Sequence, residues 1–227
     1  MVSFGFDVDS SGNAVCSVKQ WPEKELLCGV QLFVYGSPAP RHSVCPDSFM
    51  LALRKAISHI QTTVENLVQS EGYGDLMYAA TRLCDGIKEV NTQIWELGAF
   101  LGQGIYIGGN IVYLVGSQYF IAPFGGGHVY LWDGETLKRR GAKSQDRFIR
   151  DAIGAAALWP GICWKGTLAE GNSILCLTGA LNSSDAAADQ IRESSRSDNH
   201  TNTTAMLLRR MLEQNTPAPH SVMEIRN

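Results

Sequence analysis

Apolar residues change their spacing twice along this chain. From 3 to 35 they alternate loosely, with turn signals at "DSSGN" and "QWPEKE". The run "LLCGVQLFVYG" predicts a buried strand that ends near Gly36. The prolines of "SPAPRHSVCP" then make a loop. Beyond it the period becomes helical: Phe49, Leu53, Ala56, Ile60, Val64 and Leu67 recur at intervals of three or four. This predicts an amphipathic helix over 47–69, broken by "SEGYGD". A second stripe of Leu76, Ala80, Leu83, Ile87, Val90, Ile94, Leu97 and Leu101 predicts a helix over 75–101. Two such stripes suit antiparallel helices lying on one another and on a flat surface.

After Gly102 the short period returns. "GIYIGG", "NIVYLVG", "QYFIAPF" and "HVYLWDG" read as strands separated by "GGN", "GSQ" and "GGG", a meander of hairpins. Residues 135–170 are less regular. "GNSILCLTGAL" reads as a further strand, and "SSDAAADQIRESS" as a short helix with serine and aspartate at its start. "TNTTAMLLRRML" reads as a last strand, followed from Glu213 by a tail read as mobile. Long helices set between antiparallel strands predict an α+β fold: a four-layer α-β-β-α sandwich, two antiparallel sheets face to face with helices outside. One domain over 1–212 and a tail over 213–227 follow.

Composition narrows the field. The 227 residues are 44% hydrophobic and 18% charged, with a net charge of −3, so no basic face points to nucleic acid. No apolar run nears the roughly 18 to 20 residues that span a bilayer. The opening "MVSFGFDVDSSG" lacks the basic region of a signal peptide. Cysteines stand at 16, 28, 45, 84, 163 and 176 without a CxxC or zinc spacing. They read as reduced thiols in a cytoplasmic protein.

Several motifs suggest chemistry only at first sight. "GGGH", at Gly125 to His128, is followed by a strand and not by the helix and lysine of a phosphate loop, so a turn is the plain reading. "DVDSSGN" lacks the closing glutamate of a calcium loop. No G-x-S-x-G elbow accompanies the five histidines. An amino-terminal nucleophile would need Ser, Thr or Cys first, where the chain has Met1-Val2. The basic run Lys138, Arg139, Arg140 is a candidate anion-binding patch, with a solvated turn as the ordinary alternative.

Four strings in order give the chain a resemblance. "LFVYGS" is similar to a strand reading L-F-V-A-D-G, with Gly36 at the aspartate and Ser37 at the glycine. "APFGGGHVYLWDG" is similar to A-N-V-G-D-S-R-A-Y-L-x-x-D-G. Gly125, Val129, Tyr130, Leu131, Asp133 and Gly134 match, while Gly126, Gly127 and His128 replace Asp-Ser-Arg. "LAEGNSILCLTGAL" is similar to L-x-x-G-D-x-L-L-L-C-T-D-G-L. Thr178 and Leu181 match, Gly179 replaces the aspartate and Ala180 the glycine. "SRSDNHTNTTAMLL" is similar to S-x-D-N-x-T-x-V-V-V, with Asp198, Asn199 and Thr201 in place. Together, over about 4–210, they resemble the metal-dependent protein phosphatase 2C family, its bacterial branch in particular. The amino-terminal arginine and N-E-D signature is not visible.

The resemblance implies an α-β-β-α sandwich and hydrolysis of phosphoserine and phosphothreonine by water bridging two manganese or magnesium ions. Such hard cations want carboxylate oxygens, held so that the ions sit about 3.5 to 4 Å apart. Glycine supplies only a backbone carbonyl. With Gly36 and Gly179 at two core positions and Gly126 at another aspartate, Asp198 is the one ligand left. The expectation is a pseudophosphatase with no catalytic residues and no cofactor, acting as a binding or regulatory module toward another protein. The alternative is a divergent active Mn/Mg-dependent phosphatase in which Asp7, Asp9 or Asp185 serve as ligands.

Overall fold

The computed structural model describes residues 15–21, 26–36, 58, 62, 66, 76–102, 104–140, 151–159, 161, 163–177, 181, 183–196, 207–208, 211–212 and 222–227. Strands β1 (Val15–Trp21), β2 (Leu26–Gly36), β3 (Ile105–Val115), β4 (Gln118–Phe124) and β7 (Trp164–Thr167) form one sheet in the order β1-β2-β3-β4-β7. Strands β5 (His128–Trp132), β6 (Leu137–Arg140), β8 (Ser173–Leu177) and β9 (Val222–Arg226) form a second, ordered β6-β5-β8-β9. Every neighbouring pair is antiparallel.

The sheets lie face to face. Val112, Leu114, Tyr119 and Ile121 of the first share one buried cluster with Val129, Ile174, Cys176, Met223 and Ile225 of the second. Helix α1 (Leu76–Leu101) packs on β3 and β4, burying Ala80, Leu83, Ile87, Val90 and Ile94 of the predicted stripe. It stops at Gly102, whose left-handed φ of 62° and N–H bond to the Ala99 carbonyl (3.2 Å) close the last turn. Helix α2 (Ser184–Arg196) covers the far side of the second sheet, where Ala187, Ala188 and Ile191 meet Tyr130, Trp132, Leu137, Leu175 and Leu177. Its first turn is capped by Ser183, whose hydroxyl accepts from Ala186 N–H at 3.2 Å. The four layers are those the sequence predicts. Ser58, Thr62 and Asn66 are helical and exposed, four residues apart, and form the polar face of the helix predicted over 47–69. Its apolar stripe lies outside the described residues. No helix among the described residues is long and apolar enough to cross a membrane.

Three predictions about the chain path need correction. "GGN" is not a turn. Gly108, Gly109 and Asn110 run through the middle of β3, which pairs with β2 without a break from Ile105 to Val115. "GGG" does turn the chain but does not join a hairpin, because β4 and β5 belong to different sheets. Only "GSQ" joins strands as read, with Val115 opposite Gln118. Last, the described residues of "TNTTAMLLRRML" do not form the strand predicted there. Leu207, Leu208, Met211 and Leu212 are helical, and Leu208 and Leu212 are buried under the second sheet with α2. Their i, i+4 spacing is helical. The strand beside β8 is instead β9, so the tail expected to be mobile ends as a paired strand.

A buried polar bridge ties the sheets together. Gln31 of β2 sits directly opposite Asn110 of β3, and both are fully buried. Asn110 Nδ2 donates to Gln31 Oε1 at 2.7 Å, and Gln31 Nε2 donates across the sandwich to the Cys176 carbonyl at 3.2 Å. Replacing Gln31 by leucine removes this donor and acceptor from a dry interior. The expected cost is about 2 to 4 kcal/mol, read as a lower urea midpoint at unchanged slope. A Gln31→Leu/Asn110→Leu double variant should lose less than the two single losses added together.

The glycines of the crossing turn are not equivalent to an ordinary hairpin glycine. Gly125 and Gly126 have φ of 49° and 84°, and Gly127 N–H bonds to the Phe124 carbonyl at 3.1 Å, the pattern of a type I′ turn. A Cβ on Gly125 would meet Gly108 Cα at 2.8 Å and Ala152 Cβ at 2.9 Å, whereas one on Gly116, also left-handed, would meet nothing. Gly116→Ala should therefore cost about 1 kcal/mol from backbone strain alone. Gly125→Ala should cost about 2 to 4 kcal/mol, since overpacking adds to the strain. Paired thermal or urea unfolding of the two variants measures the difference.

Candidate functional site

Strand pairing gathers the family-like positions at one edge of the sandwich. Gly36, the last residue of β2, lies opposite Ile105 of β3. Three residues along β3 is Gly108, against which the crossing turn at Gly125 packs. The turn delivers the chain to His128, which pairs with Leu177 at the end of β8. The ends of β2, β4 and β8 and the start of β5 thus share this edge. Gly36 and Gly126 are placed there. Ser37, Thr178, Gly179, Ala180 and Asp198 lie outside the described residues, as do Asp7 and Asp9. The segment over 178–180 is bracketed by Leu177 and by Leu181, whose N–H donates to Tyr130 Oη at 3.1 Å. Asp185 is exposed in the first turn of α2.

Among the described residues, this edge is filled by main chain rather than by acids. Gly36 is an extended strand residue without a side chain. A Cβ on Gly127 would run into the Gly109 carbonyl oxygen and the Asn110 carboxamide. The turn therefore has no room at 127 for the serine of the resembled string unless β3 gives way. Residues 151–159, unreadable from sequence, close the same end. Ile153 and Ile107 exchange both backbone hydrogen bonds at 2.9 Å, on the stretch of β3 that β4 does not reach. Asn91 of α1, buried, holds the segment down: Gly154 N–H donates to its Oδ1 at 2.9 Å, and its Nδ2 donates to the carbonyls of Ala156 (3.0 Å) and Ala157 (3.3 Å). Trp159 stands edge-on to Phe124, with centroids 6.4 Å apart. Asn91, Gln31 and Asn110 went unnoticed in the sequence. Their signal was a polar residue inside an apolar run.

The predicted basic patch does not gather. Side chains alternate along β6, so Lys138 and Arg140 share one face and Arg139 takes the other. Each has a partner. Lys138 Nζ binds Asp133 Oδ2 at 3.0 Å, and Arg140 reaches across to Tyr119 Oη at 3.3 Å. Asp133 itself is a turn staple, accepting from Thr136 Oγ1 (2.7 Å), Thr136 N–H (2.6 Å) and Glu135 N–H (3.0 Å). These bonds, the Thr136 hydroxyl first, hold its carboxyl far below the usual range.

Arg139 Nη2 donates to His128 Nδ1 at 3.0 Å. Burial first, and the Arg139 charge second, push the His128 imidazole from 6.5 down to about 4. The ring is neutral near pH 7 and acts as an acceptor. Because the unfolded chain takes up the proton more readily, it binds more protons between pH 6.5 and 4, and stability falls as pH drops through that window. The expected loss reaches up to about 3 kcal/mol at the acid end. In urea unfolding across this range, His128→Gln should show a flatter profile than the parent chain.

No family model and no curated protein sequence matches this chain. Solved structures do. PppA, a key regulatory component of T6SS in Pseudomonas aeruginosa, aligns over 93% of this chain and 89% of its own at 15% identity, with a TM-score of 0.62. The Mycobacterium tuberculosis serine/threonine phosphatase PstP aligns over 97% and 94% at 17% identity, with a TM-score of 0.60. A PstP catalytic domain in complex with two manganese ions aligns over 98% and 95% at 13% identity, with a TM-score of 0.62. At these identities the likeness concerns architecture and not chemistry: this chain has the two-sheet α-β-β-α fold of the bacterial serine/threonine phosphatases of the phosphatase 2C type.

Proposed function

We propose that this protein is a phosphatase 2C-like pseudophosphatase, a binding or regulatory module that keeps the fold without the bimetal hydrolytic centre. The observation that carries this reading is glycine at position 36, at the end of β2 on the edge described above, where the resembled family has an aspartate bridging both metals. The crossing turn adds to it, since Gly126 has no side chain and Gly127 has no room for one. Among the described residues no three of His, Cys, Asp or Glu come together as a metal site. Glycine at 36 and 126 offers no carboxylate to a pair of hard cations.

The new position of the last strand bears on Asp198. The resembled string runs Asp-Asn-x-Thr directly into a strand, but the described residues that follow Asp198, 207–208 and 211–212, are helical. The terminal strand is β9, and the stretch leading into it, "QNTPAPHS" over 214–221, contains no carboxylate. Counting back from Val222 puts Ser221 at the threonine and Ala218 at the aspartate. On this register the third core acid is missing as well. PppA, named a regulatory component in its own system, is consistent with the fold serving regulation, and the partner expected here is another protein.

The test is Mn²⁺-dependent hydrolysis of an aryl phosphate, with Asp198→Ala as control. The parent chain should show no rate above that control and no heat of binding in calorimetry at millimolar Mn²⁺. Metal-dependent turnover that Asp198→Ala removes would sink the proposal. Restored carboxylates then separate the two registers. If Ala218 holds the third place, Gly36→Asp/Gly179→Asp/Ala218→Asp should bind Mn²⁺ at least about tenfold more tightly than Gly36→Asp/Gly179→Asp, because affinity follows the number of charged ligands. Equal binding by both would return the place to Asp198.

A further inference from the structure

The flank of the first sheet holds a pair of thiols. Cys84 of α1 and Cys163, just before β7, are both half-buried, and their sulfur atoms are 3.0 Å apart. A disulfide has its sulfurs about 2.05 Å apart, so a shift of about 1 Å would join them. The approach is held from two sides. Met77 lies seven residues before Cys84, on the same face of α1, and its sulfur is 2.6 Å from Lys165 Nζ, two residues after Cys163. Two turns of α1 are thus matched to two residues at the start of the edge strand.

The pair is also electronically unequal. The hydrogen bond from Cys163 brings the Cys84 thiol down to about 7; burial opposes this, Lys88 helps and Asp85 opposes. Cys163, as the donor, is pushed up by the same bond and by burial. The pair is thus biased: Cys84 gives up its proton the more readily and Cys163 the less. Cys176 differs from both, being fully buried between the sheets.

We propose that Cys84 and Cys163 are an oxidation site, an attacking and a resolving thiol that close to a disulfide when the protein meets a peroxide. The Cys84 thiolate attacks one peroxide oxygen, the O–O bond breaks, and hydroxide leaves a sulfenic acid on Cys84. The Cys163 sulfur then attacks the Cys84 sulfur, the S–S bond forms, the S–O bond breaks, and water departs with the thiol proton. Two thiols lose two electrons and one peroxide becomes two waters. The bond would fasten α1 to the edge strand of the sheet it covers and close a loop across 79 residues of sequence separation. It stands apart from the pseudophosphatase reading and survives or fails without it.

The full chain is treated with hydrogen peroxide, alkylated, digested and mapped. The expected result is a linked peptide joining Cys84 to Cys163, the loss of two free thiols, and reversal by dithiothreitol. The oxidised chain should melt at least about 5 °C higher, as expected of a long closed loop. Cys84→Ser should abolish the linked peptide and leave Cys163 a thiol. Recovery of Cys84 as sulfinic or sulfonic acid without the linked peptide overturns the proposal. So does a chain whose Cys84 and Cys163 stay reduced at a peroxide level that oxidises free glutathione in the same tube. The map of the unsubstituted chain decides the matter even if a serine variant fails to fold.

Discussion

The hydrogen bond from Gln31 to the Cys176 carbonyl fixes how the two sheets meet. Apolar packing alone leaves such a sandwich free to slide, since one aliphatic surface tolerates another in many registers. A buried amide does not, because a slip would strand it without a partner. Gln31 can reach Cys176 only with β8 at one height, and Asn110 holds Gln31 from the neighbouring strand. Gly29, two residues away on the same face, adds a shape constraint. Any side chain there would press on Ile225 and Met223 of β9.

With that match set, the crossing turn has one place to go. It leaves β4 at Phe124, passes over Gly108 and Gly109 of β3, and enters the second sheet at His128. The glycine run in the turn lies in close approach to the β3 backbone at Gly108 and Gly109. A Cβ on Gly125 would meet Gly108 Cα, and one on Gly127 would meet the Gly109 carbonyl oxygen. Where the resembled phosphatases carry polar side chains, the described part of this edge has main chain packed on main chain, with Ile153 and Asn91 closing the end beside it. A metal centre needs carboxylates converging on an open space, and close glycine packing provides neither. That is the physical link between the turn and the proposed loss of activity.

Much of the architecture was legible because it rests on local patterns. The α1 stripe, the Gly102 stop, the Ser183 cap and the "GSQ" hairpin are all settled within a few residues. The failures share a cause. Gly108-Gly109-Asn110 looks like a turn by composition, yet β2 supplies eleven residues of pairing that carry the chain straight through it. "MLLRRML" is apolar enough for a strand, but Leu208 and Leu212 find their burial on the outer face of the second sheet, and a helix lines them up on one side.

Of the candidate site, the sequence by itself determined which residues are absent: glycine at 36 and 126 carries no carboxylate in any fold. It also determined the periods of α1 and of the strands, because spacing and side-chain type are properties of the chain. Tertiary structure alone decided that the glycine triplet crosses between sheets, that Lys138, Arg139 and Arg140 part onto two faces with separate partners, that β9 rather than "AMLLRRML" is the strand beside β8, and that Cys84 meets Cys163. Each of these depends on a partner distant in sequence, whose position follows from how two sheets and their helices exclude water together and not from any local preference.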